Sequence, residues 1–241
     1  MKKHQQELEP GKFYHIFNRG NNSEKIFFKR ENYEFFLRRY TEYVSDCIDT
    51  YAFCLMPNHF HFLVRVKEKA LHPNTKALHP KDAKLLASPI PTQEDTKDLH
   101  PDSKDLHLAE TKPLLLADAK VLASPTPTQA FHRLFTSYCK AINKQENRHG
   151  SLIENPFKRI EIDSGEYFTN LILYIHTNPQ LHGFVNDFRT YLWSSYNIIL
   201  NDSPSVLQKA YVLEQFGDKD NYRFCHQKKI NLVAIEQLTF D

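Results

Sequence analysis

The sequence has no hydrophobic run long enough to cross a bilayer: stretches such as NLILYI end after a few residues, where a membrane helix needs about 20. Its first residues, MKKHQQELEP, lack the apolar segment of a signal peptide, so the expectation is a cytoplasmic protein with no membrane partner. Cysteine is sparse and scattered. Cys47, Cys54, Cys139 and Cys225 form no C-x-x-C pair, which argues against a disulfide framework of the secreted kind and for reduced, structural thiols. Three further absences narrow the chemistry: there is no H-E-x-x-H, no G-x-S-x-G and no glycine-rich phosphate loop, which weighs against the common hydrolase and nucleotide-binding classes. Neither sign of charge dominates, since the formal net charge is +2. A nucleic-acid partner is thus neither demanded nor excluded, because binding depends on where cations cluster rather than on their sum.

Aromatic residues are missing from the middle of the chain. The 18 phenylalanines, 12 tyrosines and single tryptophan all lie before residue 67 or after residue 130. A segment without aromatics builds no packed core easily, and this one also holds 8 of the 13 prolines and no glycine. It repeats itself imperfectly, AKLLASPIPTQ at 83–93 returning as AKVLASPTPTQ at 119–129. Two copies are too few for a stacked solenoid, so the segment 69–130 reads as a low-complexity, proline-rich, disordered insert. Its histidines, His72, His79, His100 and His107, match no compact set of metal ligands. Residues 1–68 and 131–200 then form one discontinuous domain, and 201–241 a helical C-terminal extension that either extends a binding surface or caps the core.

The flanks carry clear periodicities. KFYHIFNRG reads as a strand closing on the turn former RGNN, and ENYEFFLRRYTEYV places Tyr33, Phe36, Leu37, Tyr40 and Val44 at helical spacing. TYAFCLM and HFHFLVRV flank Pro57 and Asn58, a hairpin. FHRLFTSYCKAINK is a second helix and PFKRIEI a fourth strand. Asp163 with Glu166 three residues later resembles a capping box, opening a helix that runs to Asn178 before Pro179. The order βαββαβα predicts an α+β protein, a ferredoxin-like antiparallel sheet with helices on one face.

Side chains alternate along a strand, so His59 and His61 share one face, about 7 Å apart at Cα, while Phe60 and Phe62 take the other. Two imidazoles so placed suit one metal ion; equally, they suit a surface strand with two buried phenylalanines beneath. On the last helix Phe168, Leu171, Ile172 and Ile175 make an apolar stripe, with Tyr167, Tyr174 and Asn178 on its flank. Tyr174 and Asn178 are neighbours at i and i+4, a phenol beside a carboxamide, or simply a half-buried aromatic and a helix cap.

Taken in order, these segments resemble a known family. MPNHFHFLV is similar to the HUH motif (histidine, bulky apolar residue, histidine) of the single-tyrosine HUH endonucleases, in particular insertion-sequence transposases and REP-associated tyrosine transposases. YHIFNRGNNSEKIF resembles that family's first strand and turn, YIHTNPQLHGFV its tyrosine helix and exit, and WSSY the segment that follows. The likeness covers roughly 13–66 and 131–200, and the insert is the main departure.

By this resemblance His59, His61 and Asn178 would be metal ligands and Tyr174 the nucleophile. The implied activity is cleavage and rejoining of single-stranded DNA near hairpins through a 5′-phosphotyrosine, with a divalent metal, Mg²⁺ or Mn²⁺. Two imidazoles favour Mn²⁺. Arg19, Asn58, Lys158 and Arg159 are candidate contacts to single-stranded or hairpin DNA, each also readable as a solvated charge or turn residue. The alternatives are a hairpin-binding protein that does not cleave and a metal-dependent hydrolase using water. The sequence leaves open whether one chain or a homodimer completes the site.

Overall fold

The computed structural model describes residues 6–68 and 125–228. The expected insert at 69–130 lies outside the described residues except for its last six, as do the closing residues of the C-terminal extension. Four strands, β1 (Phe13–Arg19), β2 (Ile48–Met56), β3 (His59–Val66) and β4 (Lys158–Ile162), form one antiparallel sheet in the order β2-β3-β1-β4. β2 and β3 are the expected hairpin around Pro57 and Asn58, with Met56 opposite His59. With α1 (Arg30–Val44) between β1 and β2 and α2 (Pro127–Gln145) between β3 and β4, this is the ferredoxin-like arrangement that the sequence predicts.

Those two helices cover one face of the sheet. Phe36 of α1 meets Phe60 at 5.3 Å between ring centroids, Tyr40 stacks on Phe62 at 4.5 Å, and Phe135 of α2 meets Phe60 at 5.4 Å. Buried aromatics of this size dominate a core energetically, each contributing about 1.5–3 kcal/mol by burial alone. α2 starts earlier than its aromatic pattern, within the segment assigned to the insert. The Thr126 hydroxyl oxygen accepts a hydrogen bond from the Gln129 amide and the Gln129 side-chain oxygen accepts one from the Thr126 amide, a capping box with Pro127 in the first turn.

The expectation of helices on one face needs correction. α3 (Gly165–Leu181) crosses the opposite face, its Phe168 packed against Phe13 at 5.3 Å and Tyr51 at 5.6 Å. Its N-cap is Ser164 rather than Asp163, and it continues through Pro179 to Leu181. A proline this close to the end costs little, because the following turn is closed by amides further along. The His182 amide bonds to Asn178 and the Phe184 amide to Pro179.

The remaining chain packs beside α3. The WSSY segment lies along the exposed edge of β2, with the Leu55 amide bonded to Trp193 and the Ser195 amide to Phe53, before a short helix α4 (Tyr196–Leu200). Helices α5 (Lys209–Phe216) and α6 (Lys219–Gln227) bury Val212 and Tyr222 completely, so this part of the C-terminal extension caps the core. It is tied to α3 by a buried chain of polar groups. The Tyr222 carbonyl accepts from His226 Nδ1 (2.7 Å), His226 Nε2 pairs with His176 Nδ1 (2.9 Å), and His176 Nε2 pairs with Ser195 Oγ (2.7 Å).

Candidate active site

β3 presents His59 and His61 to α3, as the alternation requires, with Phe60 and Phe62 on the other face. Register extends this face across the sheet. β1 pairs Phe17 with His61 and Arg19 with His59, and β4 pairs Lys158 with Phe17, so Arg19 and Lys158 stand on the histidine face. Both cations hold Glu154, Arg19 at 2.6 Å and Lys158 at 3.0 Å. Burial raises the Glu154 pKa, but these hydrogen bonds outweigh it and keep the carboxyl below its usual range.

Of the four expected DNA contacts, Arg159 alone stands away from the histidines. Arg159 pairs with Ile16 and therefore projects to the opposite face, where its guanidinium covers the Phe157 ring at 4.8 Å and bonds to the Gln6 carbonyl. Its alternation with Lys158 separates the two cations that are adjacent in sequence. Asn58 lies at the hairpin turn beside the histidines, and its side-chain oxygen accepts from His59 Nδ1 at 2.7 Å. That bond fixes the His59 tautomer and places the ring's lone pair on Nε2. His61 is oriented in the same way through its Nδ1, 2.9 Å from His15 Nε2. The sequence signal for His15 is the alternation of YHIFNR, which puts His15, Phe17 and Arg19 on one face.

α3 brings its polar edge to these histidines. Tyr174 is buried at 3% exposure rather than half-buried, its ring edge-on to His61 at 5.4 Å. His182, the residue that follows the helix, sits edge-on to His59 at 4.8 Å. Residues 174, 178 and 182 are successive i, i+4 neighbours on one helical edge, about 6 Å apart along the axis. With Tyr174 against His61 and His182 against His59, Asn178 is the residue between them on the edge that meets the two imidazoles. The sequence reading ended the helix at Asn178 and so missed His182, which belongs to the same edge one turn on. Tyr167, on the same flank two turns before Tyr174, has its phenol pushed up by burial to about 12.

The electrostatics suit neutral ligands. Burial, then His182 and Arg19, lowers the His59 pKa to about 3, and burial with His15, His59 and His182 lowers that of His61 well below the ordinary value. Imidazole must be neutral to bind a metal, and both rings are. Asn178 is fully buried, yet neither atom of its carboxamide has a hydrogen-bond partner among the described residues. A buried amide in that state costs about 1–3 kcal/mol and calls for a ligand. Among the described residues no group of three or more His, Cys, Asp or Glu side chains is placed to hold a metal ion, so a cation here needs the carboxamide oxygen beside the two imidazoles. The donor set of two nitrogens and one oxygen fits a divalent ion of the Mn²⁺ type.

No family model and no curated protein matches the chain. A solved structure described as "Structure of the REP associates tyrosine transposase bound to a REP hairpin" is similar to it at 10% sequence identity and a TM-score of 0.48, over 83% of this chain and 86% of that one. No helix among the described residues is long and apolar enough to cross a membrane.

Proposed function

We propose that the protein is a transposase-like DNA strand transferase, which cleaves and rejoins single-stranded DNA near hairpins with Tyr174 as nucleophile. One observation carries this reading: Tyr174 meets His61 and His182 meets His59, while Asn178, which lies between Tyr174 and His182 on the same edge of α3, keeps a buried carboxamide with no hydrogen-bond partner among the described residues.

His59 and His61, oriented through Asn58 and His15, and Asn178 would hold a divalent cation, Mn²⁺ or Mg²⁺. When bound, such an ion polarises a phosphoryl oxygen and offsets negative charge in the transition state. Tyr174 Oη attacks the phosphorus and forms the new P–O bond while the bond to the 3′ oxygen breaks. The phenol gives up its proton, and the departing 3′ oxygen takes one as a hydroxyl. The product is a 5′-phosphotyrosine, which retains the energy of the broken bond, so attack by a 3′ hydroxyl reverses the step and joins strands without a nucleotide cofactor. Arg19 and Lys158 on the same face would steer the phosphate, sharing Glu154 between them.

The test is incubation of labelled hairpin DNA bearing single-stranded flanks with Mn²⁺ or Mg²⁺, on a denaturing gel beside Tyr174→Phe. A metal-dependent covalent adduct that disappears in the variant is expected. Binding without an adduct across many hairpins would leave a DNA-binding protein, and cleavage that survives the substitution would make water the nucleophile.

A further inference from the structure

The β2–β3 turn, Pro57 and Asn58, which leads into His59, also helps to line a cavity. Pro57 accepts hydrogen bonds from the Ile26 (2.7 Å) and Phe27 (3.0 Å) amides, which draws the segment after β1 against the turn. The cavity, about 290 Å³, lies at the lower end of the size of small-ligand sites. Pro57 forms one wall, and Lys25, Lys29 and Arg30 place three cations around it with no acidic residue in the lining. Arg30 is paired with Glu34 at 2.9 Å, whereas neither Lys25 nor Lys29 forms an ion pair among the described residues.

The back of the cavity is a ladder of rings. Phe27 stacks on Tyr33 (4.4 Å, 16° between planes), Tyr33 stacks on Trp193 (4.6 Å, 10°), and the Arg30 guanidinium lies 6.0 Å from the Trp193 centroid. Trp193 ends this ladder and is half-buried; next to it Leu192 is 56% exposed, and Phe28 across the mouth 37%. A planar aromatic ladder with ammonium groups at its rim is a combination suited to a nucleotide, since every base has a face to stack and every link carries a negative charge. An acidic peptide would answer the charge but not the stack.

We infer that this cavity binds one unpaired nucleotide of a single-stranded DNA, its base stacked on Trp193 at the end of the ladder and the adjoining phosphates held by Lys25 and Lys29. The inference rests on the proposed DNA activity and extends it. Because Pro57 of the cavity wall and Asn58 beside His59 belong to one turn, a strand seated here would pass close to the histidines, and the cavity would set which phosphate reaches Tyr174.

Trp193 is the single tryptophan of the chain, so its fluorescence reports on this cavity alone. The experiment titrates the full chain with a 5′-fluorescein single-stranded 16-mer of mixed sequence, reading anisotropy in one series and, with the unlabelled oligonucleotide, tryptophan emission in another. Saturable quenching that tracks binding is expected. Lys25→Ala with Lys29→Ala, both exposed and so neutral to folding, should weaken binding about tenfold and lower the salt slope by about 1.4, from roughly 0.7 per phosphate contact. An abasic strand of equal length should bind more weakly and quench little. Binding by anisotropy with unchanged emission, or with no effect of the double substitution, would overturn the cavity and leave the proposed activity standing. Polyglutamate that binds and quenches as well as DNA would show a surface for acidic chains and would also overturn it. Absence of any DNA binding would overturn both.

Discussion

The Tyr174 ring stands edge-on to that of His61, their centroids 5.4 Å apart and their planes at 80°. One chain therefore brings the candidate nucleophile and the candidate ligand pair together, and it does so because α3 crosses the face of the sheet that α1 and α2 leave open. The next two turns of the same helical edge supply Asn178 and His182. Four measurements follow from this arrangement.

Asn178→Ala is expected to separate stability from metal binding. The wild-type carboxamide is buried with no hydrogen-bond partner among the described residues, so its removal gives up no bond within them. The change in unfolding free energy should stay within about 1 kcal/mol, where loss of a satisfied buried group costs about 1–3 kcal/mol. Mn²⁺ affinity by calorimetry should fall at least tenfold. A large loss of stability with unchanged Mn²⁺ affinity would make Asn178 a structural residue.

Asn58→Ala tests the outer support of His59. Its side-chain oxygen accepts from His59 Nδ1 at 2.7 Å, and groups that orient a ligating imidazole typically contribute 10–100-fold to metal affinity. A loss in that range is expected, with DNA binding measured without metal nearly unchanged. If instead Asn58 contacts DNA directly, metal-free binding falls and Mn²⁺ affinity does not.

Gly20→Ala should destabilise the protein for steric rather than conformational reasons. A Cβ at this position would lie 2.1 Å from the Glu24 carbonyl oxygen and 3.0 Å from Ile26 Cγ2, so the backbone itself must move. The Gly20 amide also bonds to the Asn58 carbonyl at 2.8 Å, which couples that movement to the hairpin turn of the site. A cost of about 2–4 kcal/mol in urea unfolding is expected, at the upper end of overpacking substitutions. A change below about 0.5 kcal/mol would show that the turn after β1 adapts freely.

Stability should fall in mild acid through the His176–His226 pair. The Tyr222 carbonyl requires a proton on His226 Nδ1, so His226 Nε2 accepts from His176 Nδ1, and His176 Nε2 accepts from the Ser195 hydroxyl. This chain is complete with both rings neutral; a proton added at His226 Nε2 sets N–H against N–H, and one added at His176 Nε2 requires the Ser195 hydroxyl to turn to the Phe53 carbonyl. Burial lowers His226 to about 4, and burial with the neighbouring His226 holds His176 well below its usual value. Unfolded histidines titrate near 6.5, so the unfolded state binds more protons as the pH falls below that value. The contribution is full above about pH 6.5 and is lost as the pH falls toward 4, by up to about 1.4 kcal/mol per pH unit for each histidine. Urea unfolding at pH 7 and pH 5 should show it, and His226→Phe should flatten the difference. An unchanged slope in the variant would assign the acid sensitivity to other groups.

Much of this was legible in the sequence because it depends on local periodicity. The alternation HFHF fixes which residues share a face whatever the sheet packs against, and the i, i+4 spacing joins Tyr174 to Asn178 in any helix. The lack of aromatics between residues 67 and 130 is likewise visible without reference to any contact, although Ala130 at its end is buried in the core. Other features depend on partners distant in the chain. Adjacent Lys158 and Arg159 look alike until β4 pairs with β1 and alternation sends one to the histidines and the other away. His15 becomes part of the site only through the β1–β3 register that sets it beside His61, and His182 only because the helix passes through Pro179. Which face α3 covers is decided by long-range burial of Phe168 against Phe13 and Tyr51, for which no pattern of period two or 3.6 carries a sign. Periodicity assigns a side chain to a face of its own element; only tertiary packing decides what that face meets.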